Sequence, residues 1–277
     1  MKLLSLMGNS QMLDGGAMFG NAPKALWSRW VEVDELNRMS IACRCLLAKD
    51  LAGKNVLFET GIGNFFEPKL KARFGVNEPH HVLLDSLKQH GMSHHDIDVV
   101  VLSHLHFDHA GGLLSAWQAN KTPELLFPNA QYLVAKEHWQ RATHPHPRDK
   151  ASFIPILHDL LQKSGRLQLV QGEKHDLLPA VRFEYSNGHT PAMMHSVVGG
   201  MVFCADLIPG KAWMHVPISM GYDRFPELLI EEKADFLNRH WQHKHQLFFT
   251  HDPDIAAASI AYENNRYTTT NEQEVLP

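Results

Sequence analysis

Between residues 104 and 109 the chain reads HLHFDH, three imidazoles and a carboxylate within one short stretch. Neutral imidazole and ionised carboxylate are the ligands that suit Zn2+ and related divalent ions. His104 and His106 lie two apart, so a chain that tightens into a turn can aim both at one ion. Asp108 and His109 are consecutive and project differently, so they can address a second ion beside the first. Gly111 and Gly112 follow, and they let the backbone pass close to such a site. The chain is rich in histidine, with 20 among 277 residues. Even so, HxHxDH would arise somewhere in it by chance with a probability of only about 0.005. A solvated loop of incidental histidines is the bland alternative. It is disfavoured because the motif follows the apolar run IDVVVL, and loops at strand ends are where a fold carries function.

A two-metal site needs more ligands, and three residues are placed to supply them. His189 lies in NGHTP after an apparent strand, Asp206 ends MVFCAD, and His251 follows QLFFT. Taken alone, each reads as structural: a lone histidine is usually a satisfied or surface one, and a strand-end Asp is often a helix cap. Their shared position at strand ends, together with HLHFDH, makes them candidates.

The elements that must position these residues can be read from periodicity and turn residues. Strands are predicted at 2–7, 41–49 and 54–58, the last two joined as a hairpin at Ala52-Gly53. A helix is predicted over 80–90, ending at Gly91, and a doubly buried strand over 97–102. Further strands fall at 131–135, 167–170, 181–186 and 246–250, with a hairpin over 196–206 turning at Gly199-Gly200. Helices are expected at 136–142, 152–163 and 225–241, and a last one from Asp254. This is a layered α/β or α+β pattern with helices outside. No composition shift marks a linker, so residues 1–277 read as one domain. Residues 8–40 form an N-terminal arm, a pocket rim or homodimer contact through Met18, Phe19 and Trp27; 266–277 read as a polar C-terminal tail.

Charge narrows the partners. Lys+Arg 26 against Asp+Glu 30 gives −4, without the basic footprint that nucleic acids or anionic membranes require. No apolar run is long enough to span a bilayer, and the N-terminus lacks the long apolar run of a signal peptide. Three cysteines, Cys43, Cys45 and Cys204, form no CxxC pair and suggest a reducing compartment. The expectation is a cytoplasmic protein acting on a small molecule, with no nucleic-acid or membrane partner.

HLHFDH, then Gly188-His189, then Asp206, then His251, in that order, resembles the metallo-β-lactamase-fold hydrolase superfamily over about residues 40 to 255. The resemblance implies a four-layer αβ/βα sandwich of two mixed β-sheets, helices on the outer faces and metals at one edge. It implies His104, His106 and His189 on one ion, Asp108, His109 and His251 on the other, and Asp206 bridging both. The cofactors implied are two divalent ions, zinc foremost, with iron or manganese as alternatives. Where the family usually has Asp-x-Gly, FETGIG puts Glu59, expected to orient a ligand from behind.

Within the superfamily, Asp206 disfavours the β-lactamases that carry Cys there. Arg266, the only basic residue in 252–277, is too little for a glutathione-binding glyoxalase II. LDGGAMFG, PKALW, ETGIG and HLHFDHAGG are similar to quorum-quenching N-acyl homoserine lactonases and methyl parathion hydrolase. Many of those lactonases have a catalytic Tyr three residues after the bridging Asp, where this chain has Pro209.

Chemistry follows from such a site. Two metals about 3.5–4 Å apart can bridge a water and generate hydroxide at neutral pH, which attacks an ester or lactone carbonyl while Asp108 shuttles the proton. A phosphotriesterase or thioesterase on the same site is the alternative, as is an iron-dependent oxidoreductase or a non-catalytic metal-binding protein. Trp213, His215 and Tyr222, in KAWMHVPISMGYD, are candidates for the substrate pocket, with ordinary core packing as the competing reading for Trp213.

Overall fold

A computed structural model describes residues 1–276. Two six-stranded mixed sheets dominate it. The first runs Lys2–Met7, Arg44–Leu51, Lys54–Phe58, Val99–Leu102, Gln131–Ala135, Leu167–Val170 in spatial order; its first three strands are antiparallel and the rest parallel. The second runs Arg266–Gln273, Ala257–Glu263, Gln246–Phe248, Met201–Phe203, Met193–Val198, Arg182–Ser186. Only its Met201–Phe203 and Gln246–Phe248 pair is parallel.

Side-chain alternation explains the layers. In Val99–Leu102 all four residues are buried, yet they serve two cores. Val99 and Val101 enter the core between the sheets, while Val100 and Leu102 join the core under the helices. Successive strand residues point to opposite faces, so a strand covered on both sides must be apolar throughout. Strand Arg44–Leu51, two places along the sheet, divides likewise, Leu46 and Ala48 inward, Cys45 and Leu47 toward helices Val82–Gln89 and Pro155–Lys163. Helix Pro226–Gln242 covers the outer face of the second sheet.

Two expectations fail at the C-terminus. The helix predicted from Asp254 is the strand Ala257–Glu263, and most of the predicted polar tail is the strand Arg266–Gln273. The pair turns at Asn264 and Asn265, both with positive φ, the conformation of a two-residue hairpin turn. As an edge strand, 266–273 is exposed along most of its length, which is why its composition reads as a tail.

The N-terminal arm is also ordered. Gln11–Asp14 pairs with Arg38–Ile41, and Phe19 stacks between Trp27 and Trp213 at centroid distances of 5.2 and 4.7 Å. Phe19 and Trp27 are thus spent inside their own chain and cannot form the dimer contact expected of them. Met18 is buried as well and lines the cavity described below.

Candidate metal centre

Every proposed ligand sits just beyond the end of a strand. HLHFDH begins two residues after Val99–Leu102, with His106 preceding a single helical turn, Phe107–Ala110. Thr60 N and Oγ1 both donate to the His109 carbonyl, at 3.0 and 3.1 Å, and Gly112 N donates to Gly61 at 2.8 Å. A Cβ on Gly111 or Gly112 would collide with the backbone of Ile62 or Thr60, so this close approach requires glycine.

His189 follows Arg182–Ser186 in a loop held by helix Pro226–Gln242. Glu232 accepts from the amides of Asn187 and Gly188 at 2.8 Å each. Asp206 lies in a short turn after Met201–Phe203, and His251 lies beyond Gln246–Phe248. Pro209 is structural here, its carbonyl accepting from the His251 amide at 2.9 Å.

The seven side chains converge in two groups. Ligand atoms of His104, His106 and His189 lie within 4.8 Å of one another, as do those of Asp108, His109 and His251. Asp206 stands between them. Its Oδ2 is 3.2 Å from His189 Nε2 and 4.0 Å from His104 Nε2, and its Oδ1 is 3.2 Å from both His109 Nε2 and His251 Nε2. One oxygen therefore faces each group.

Groups behind the imidazoles fix their tautomers. His109 Nδ1 donates to Glu59 Oε2 at 2.6 Å, His189 Nδ1 to Asp223 Oδ1 at 2.9 Å, and His251 Nδ1 to the Ala42 carbonyl at 2.6 Å. Carboxylates and carbonyls only accept, so each Nδ1 carries the proton and each Nε2 lone pair is free to face inward. Ser103 donates to Glu59 and accepts from His104 Nδ1 at 2.9 Å, which places His104 in the same state. His106 differs. Its Nδ1 is 3.2 Å from His189 Nε2, so that nitrogen points into the first group.

Burial and then neighbouring imidazoles push His104 and His106 well below the usual histidine range, so both are neutral lone-pair donors. Burial would raise the Asp206 carboxyl, but the charged forms of His109, His189 and His251 outweigh it and hold it well below the carboxylate range. Against their own burial, Asp206 raises these imidazoles in turn, with Glu59 acting first on His109. A cation between the groups would replace those protons and free each Nε2 lone pair. His104 Nε2 and Asp206 Oδ1 are buried without a hydrogen-bond partner. Leaving such atoms unsatisfied is costly, and a cation between the groups relieves it. The donor set of five imidazoles and two carboxylates fits zinc, iron or manganese.

A cavity of about 290 Å³ opens onto His106, Asp108, His189, Asp206 and His251. Leu13, Met18, Ile41, Phe74, Phe107 and Met220 make an apolar wall, and Arg148, Arg224 and Tyr222 lie among the polar lining. Of the three pocket residues expected from sequence, only Tyr222 belongs here. Trp213 is buried, stacked on Phe19 and donating through Nε1 to the Met18 carbonyl at 3.1 Å. His215 stacks on Trp30 at 4.6 Å and borders a different hollow. Sequence reasoning missed Ser103, Asp223 and the two arginines; Asp223 sits in the GYD that supplied Tyr222, but no spacing marks it.

Several other histidines are not surface decoration either. His81, just before helix Val82–Gln89, is buried with its Nε2 2.9 Å from the Gly112 carbonyl, and His240 is buried on the inward face of helix Pro226–Gln242. His138 is buried between the ligand loops, accepting from the Leu105 amide and donating to the Pro191 carbonyl, both at 2.9 Å.

Comparison with known proteins agrees with this geometry. Residues 42–239 match the family described as Metallo-beta-lactamase superfamily. A probable metal-dependent hydrolase from Staphylococcus aureus is 28% identical, with a TM-score of 0.85 over 98% of this chain and 97% of that one. AidC, a dizinc quorum-quenching lactonase, shares the fold at 23% identity and a TM-score of 0.76, over 97% of this chain and 93% of that one. N-acyl homoserine lactonase AiiA of Bacillus thuringiensis subsp. kurstaki is 27% identical over 109 residues, 39% of this chain. That match spans only about a third of the relative, 36% of its length. With a family match covering well over half its residues, and with two mixed sheets bringing the ligands to one edge, the chain belongs to the metallo-beta-lactamase superfamily.

Proposed function

We propose that the protein is a metal-dependent hydrolase that holds two divalent ions, zinc foremost, and cleaves an ester or lactone of a small molecule. The observation that carries this reading is Asp206, which offers one carboxylate oxygen to each of two three-residue groups. Such a pair of ions supplies hydroxide from water at neutral pH and a Lewis acid for the carbonyl.

The chain's own residues do the rest. His104, His106 and His189 would hold one ion and Asp108, His109 and His251 the other, while Glu59, Ser103, Asp223 and the Ala42 carbonyl orient the imidazoles from behind. Asp108 has the most exposed carboxylate, 15% against 7% for Asp206, and lines the cavity. It is the group placed to carry a proton to the leaving oxygen. Burial first, then the charges of Asp108 and Asp14, push the Tyr222 phenol up, so it stays protonated and can donate to a developing oxyanion. This tyrosine is reached from a different point in the chain than position 209. The apolar wall excludes water and accepts an acyl chain.

A single-metal oxidoreductase needs mainly the first group, and the completeness of the second favours the hydrolase. The lactonase relatives favour lactones among the substrates. The test is metal analysis of the purified protein with a panel of lactones, aryl esters, thioesters and phosphotriesters. Two zinc per chain and turnover of a lactone or ester is the expected result; no turnover of any member by metal-replete protein overturns it.

A further inference from the structure

In the cavity that opens onto the ligand groups, the wall carries more positive charge than its structure uses. Arg141 donates twice to Asp149 Oδ2, from Nε at 2.9 Å and Nη2 at 2.6 Å, and so occupies that buried carboxylate. Arg224 approaches the same oxygen only to 3.5 Å through Nε. Its side chain is 8% exposed, its Nη2 lies 3.4 Å from His146 Nδ1, and its Nε and Nη1 have no hydrogen-bond partner. Arg148 bonds only to backbone among the described residues, Nη2 reaching the carbonyls of Gly221 at 3.0 Å and Asp223 at 3.4 Å. It forms no ion pair there, and the two carbonyls anchor it beside Tyr222 with its remaining donors uncommitted.

Two guanidiniums, Arg141 and Arg224, thus share one carboxylate, and Arg224 lines the cavity together with the unpaired Arg148. A buried guanidinium with unmade hydrogen bonds is costly. Its planar donors match the two acceptors of an oxyanion. The other carboxylates facing this space, Asp108 and Asp206, belong to the ligand groups, and Asp223 is bonded to His189 and to the Met220 amide. None is free to neutralise the arginines.

We propose that Arg148 and Arg224 form a subsite for an oxyanionic group, carboxylate or phosphate, so that the substrate is an ester or lactone bearing a negative charge away from the bond cleaved. This rests on the hydrolase reading and names its substrate class. The cavity, about 290 Å³, is at the small end of ligand pockets, so the substrate is a small molecule.

The test uses zinc-loaded protein and three aryl esters of equal length, whose acyl chains end in a carboxylate, a phosphonate or a neutral primary amide. Wild type is expected to favour an anionic ester over the amide by about tenfold or more in kcat/KM, the value of one or two charged hydrogen bonds. Arg148→Ala, a change at an exposed side chain, is expected to bring that ratio close to one, and Arg148→Lys to restore part of it. Whichever anion is preferred assigns the source as carboxylate or phosphate. Equal kcat/KM for all three in wild type, or a ratio unchanged in Arg148→Ala, overturns the subsite. Calorimetric binding of glutarate against glutaramate asks the same question without turnover. If none of the three esters is cleaved, tighter glutarate binding lost in Arg148→Ala still upholds the subsite and equal binding rejects it, while the hydrolase reading stands or falls on the lactone and ester panel above.

Discussion

Glu59 Oε2 lies 2.6 Å from His109 Nδ1, and both residues are buried. The other oxygen of Glu59 accepts from Ser103, which in turn accepts from His104. One carboxylate therefore orients an imidazole of each ligand group, His109 directly and His104 through a hydroxyl. Glu59 does this from a left-handed backbone, φ 63°, which costs a non-glycine residue roughly 1 kcal/mol or more. Glu59→Gln leaves volume unchanged but replaces one acceptor with a donor facing His109 or Ser103. Zinc affinity should fall about 10- to 100-fold, the usual effect of losing a ligand's outer partner. Competition with a chromophoric chelator measures this, and wild-type affinity in the variant would remove Glu59 from the centre.

The two oxygens of Asp206 make a different prediction from any single histidine. His106→Ala removes a donor from one group and His251→Ala from the other, so each variant should retain about one tightly held zinc per chain. Asp206→Ala touches both groups and should lower retention below one. Elemental analysis after dialysis separates the cases. Equal stoichiometry in the three variants would show that Asp206 does not serve both groups.

Sequence spacing reaches the ligands because a strand end is a local feature. Apolar runs, turn residues and the short HLHFDH stretch are all read within a dozen positions. The outer partners are not local. Ala42, 209 residues from His251, offers only a backbone carbonyl, and Asp223 meets His189 across 34 residues. Nothing in residue type announces either contact. Trp213 misled for a related reason: a large aromatic close after Asp206 suits a pocket wall as well as a core, and only the stacking of Phe19 decides. The edge strand Arg266–Gln273 has one polar, exposed face and few apolar residues, so composition alone could not separate it from a tail.

Tyr222 tests the reading of the cavity. It lines the space beside Asp108, and 43% exposure leaves it room to meet a substrate. Tyr222→Phe removes only the hydroxyl, so metal content and stability should stay unchanged. If the phenol stabilises an oxyanion, kcat should fall by roughly tenfold or more, with KM moving less. An equal loss of affinity without a change in kcat would make Tyr222 a binding contact instead.

A charge cluster joining the helix Pro226–Gln242 to the strand Arg182–Ser186 predicts how stability depends on pH. Glu184 Oε1 is 2.5 Å from Arg182 Nη1, and its Oε2 is 2.9 Å from Arg239 Nη2 and 3.3 Å from His240 Nε2. Burial would raise its pKa, but the bond and charge of His240 and the charges of Arg239 and Arg182 outweigh that, bringing it down to about 2 from 4.5. The folded value lies below the unfolded one, so the unfolded chain takes up the proton first as pH falls. The stabilisation is therefore complete above about pH 4.5 and is lost progressively toward pH 2. Glu184→Gln should destabilise the protein at pH 7, by less than the full shift because the paired Arg182 and Arg239 are more than a third exposed and screened by water. Below about pH 4.5 the gap between wild type and variant should narrow as pH falls toward 2. Protonation of the ligand histidines affects both proteins alike and cancels from the difference. Urea denaturation at pH 7, 4.5 and 3.5 measures the gap, and a gap independent of pH would mean that the carboxylate charge contributes nothing to tying Arg239 and His240 of the helix to the strand Arg182–Ser186.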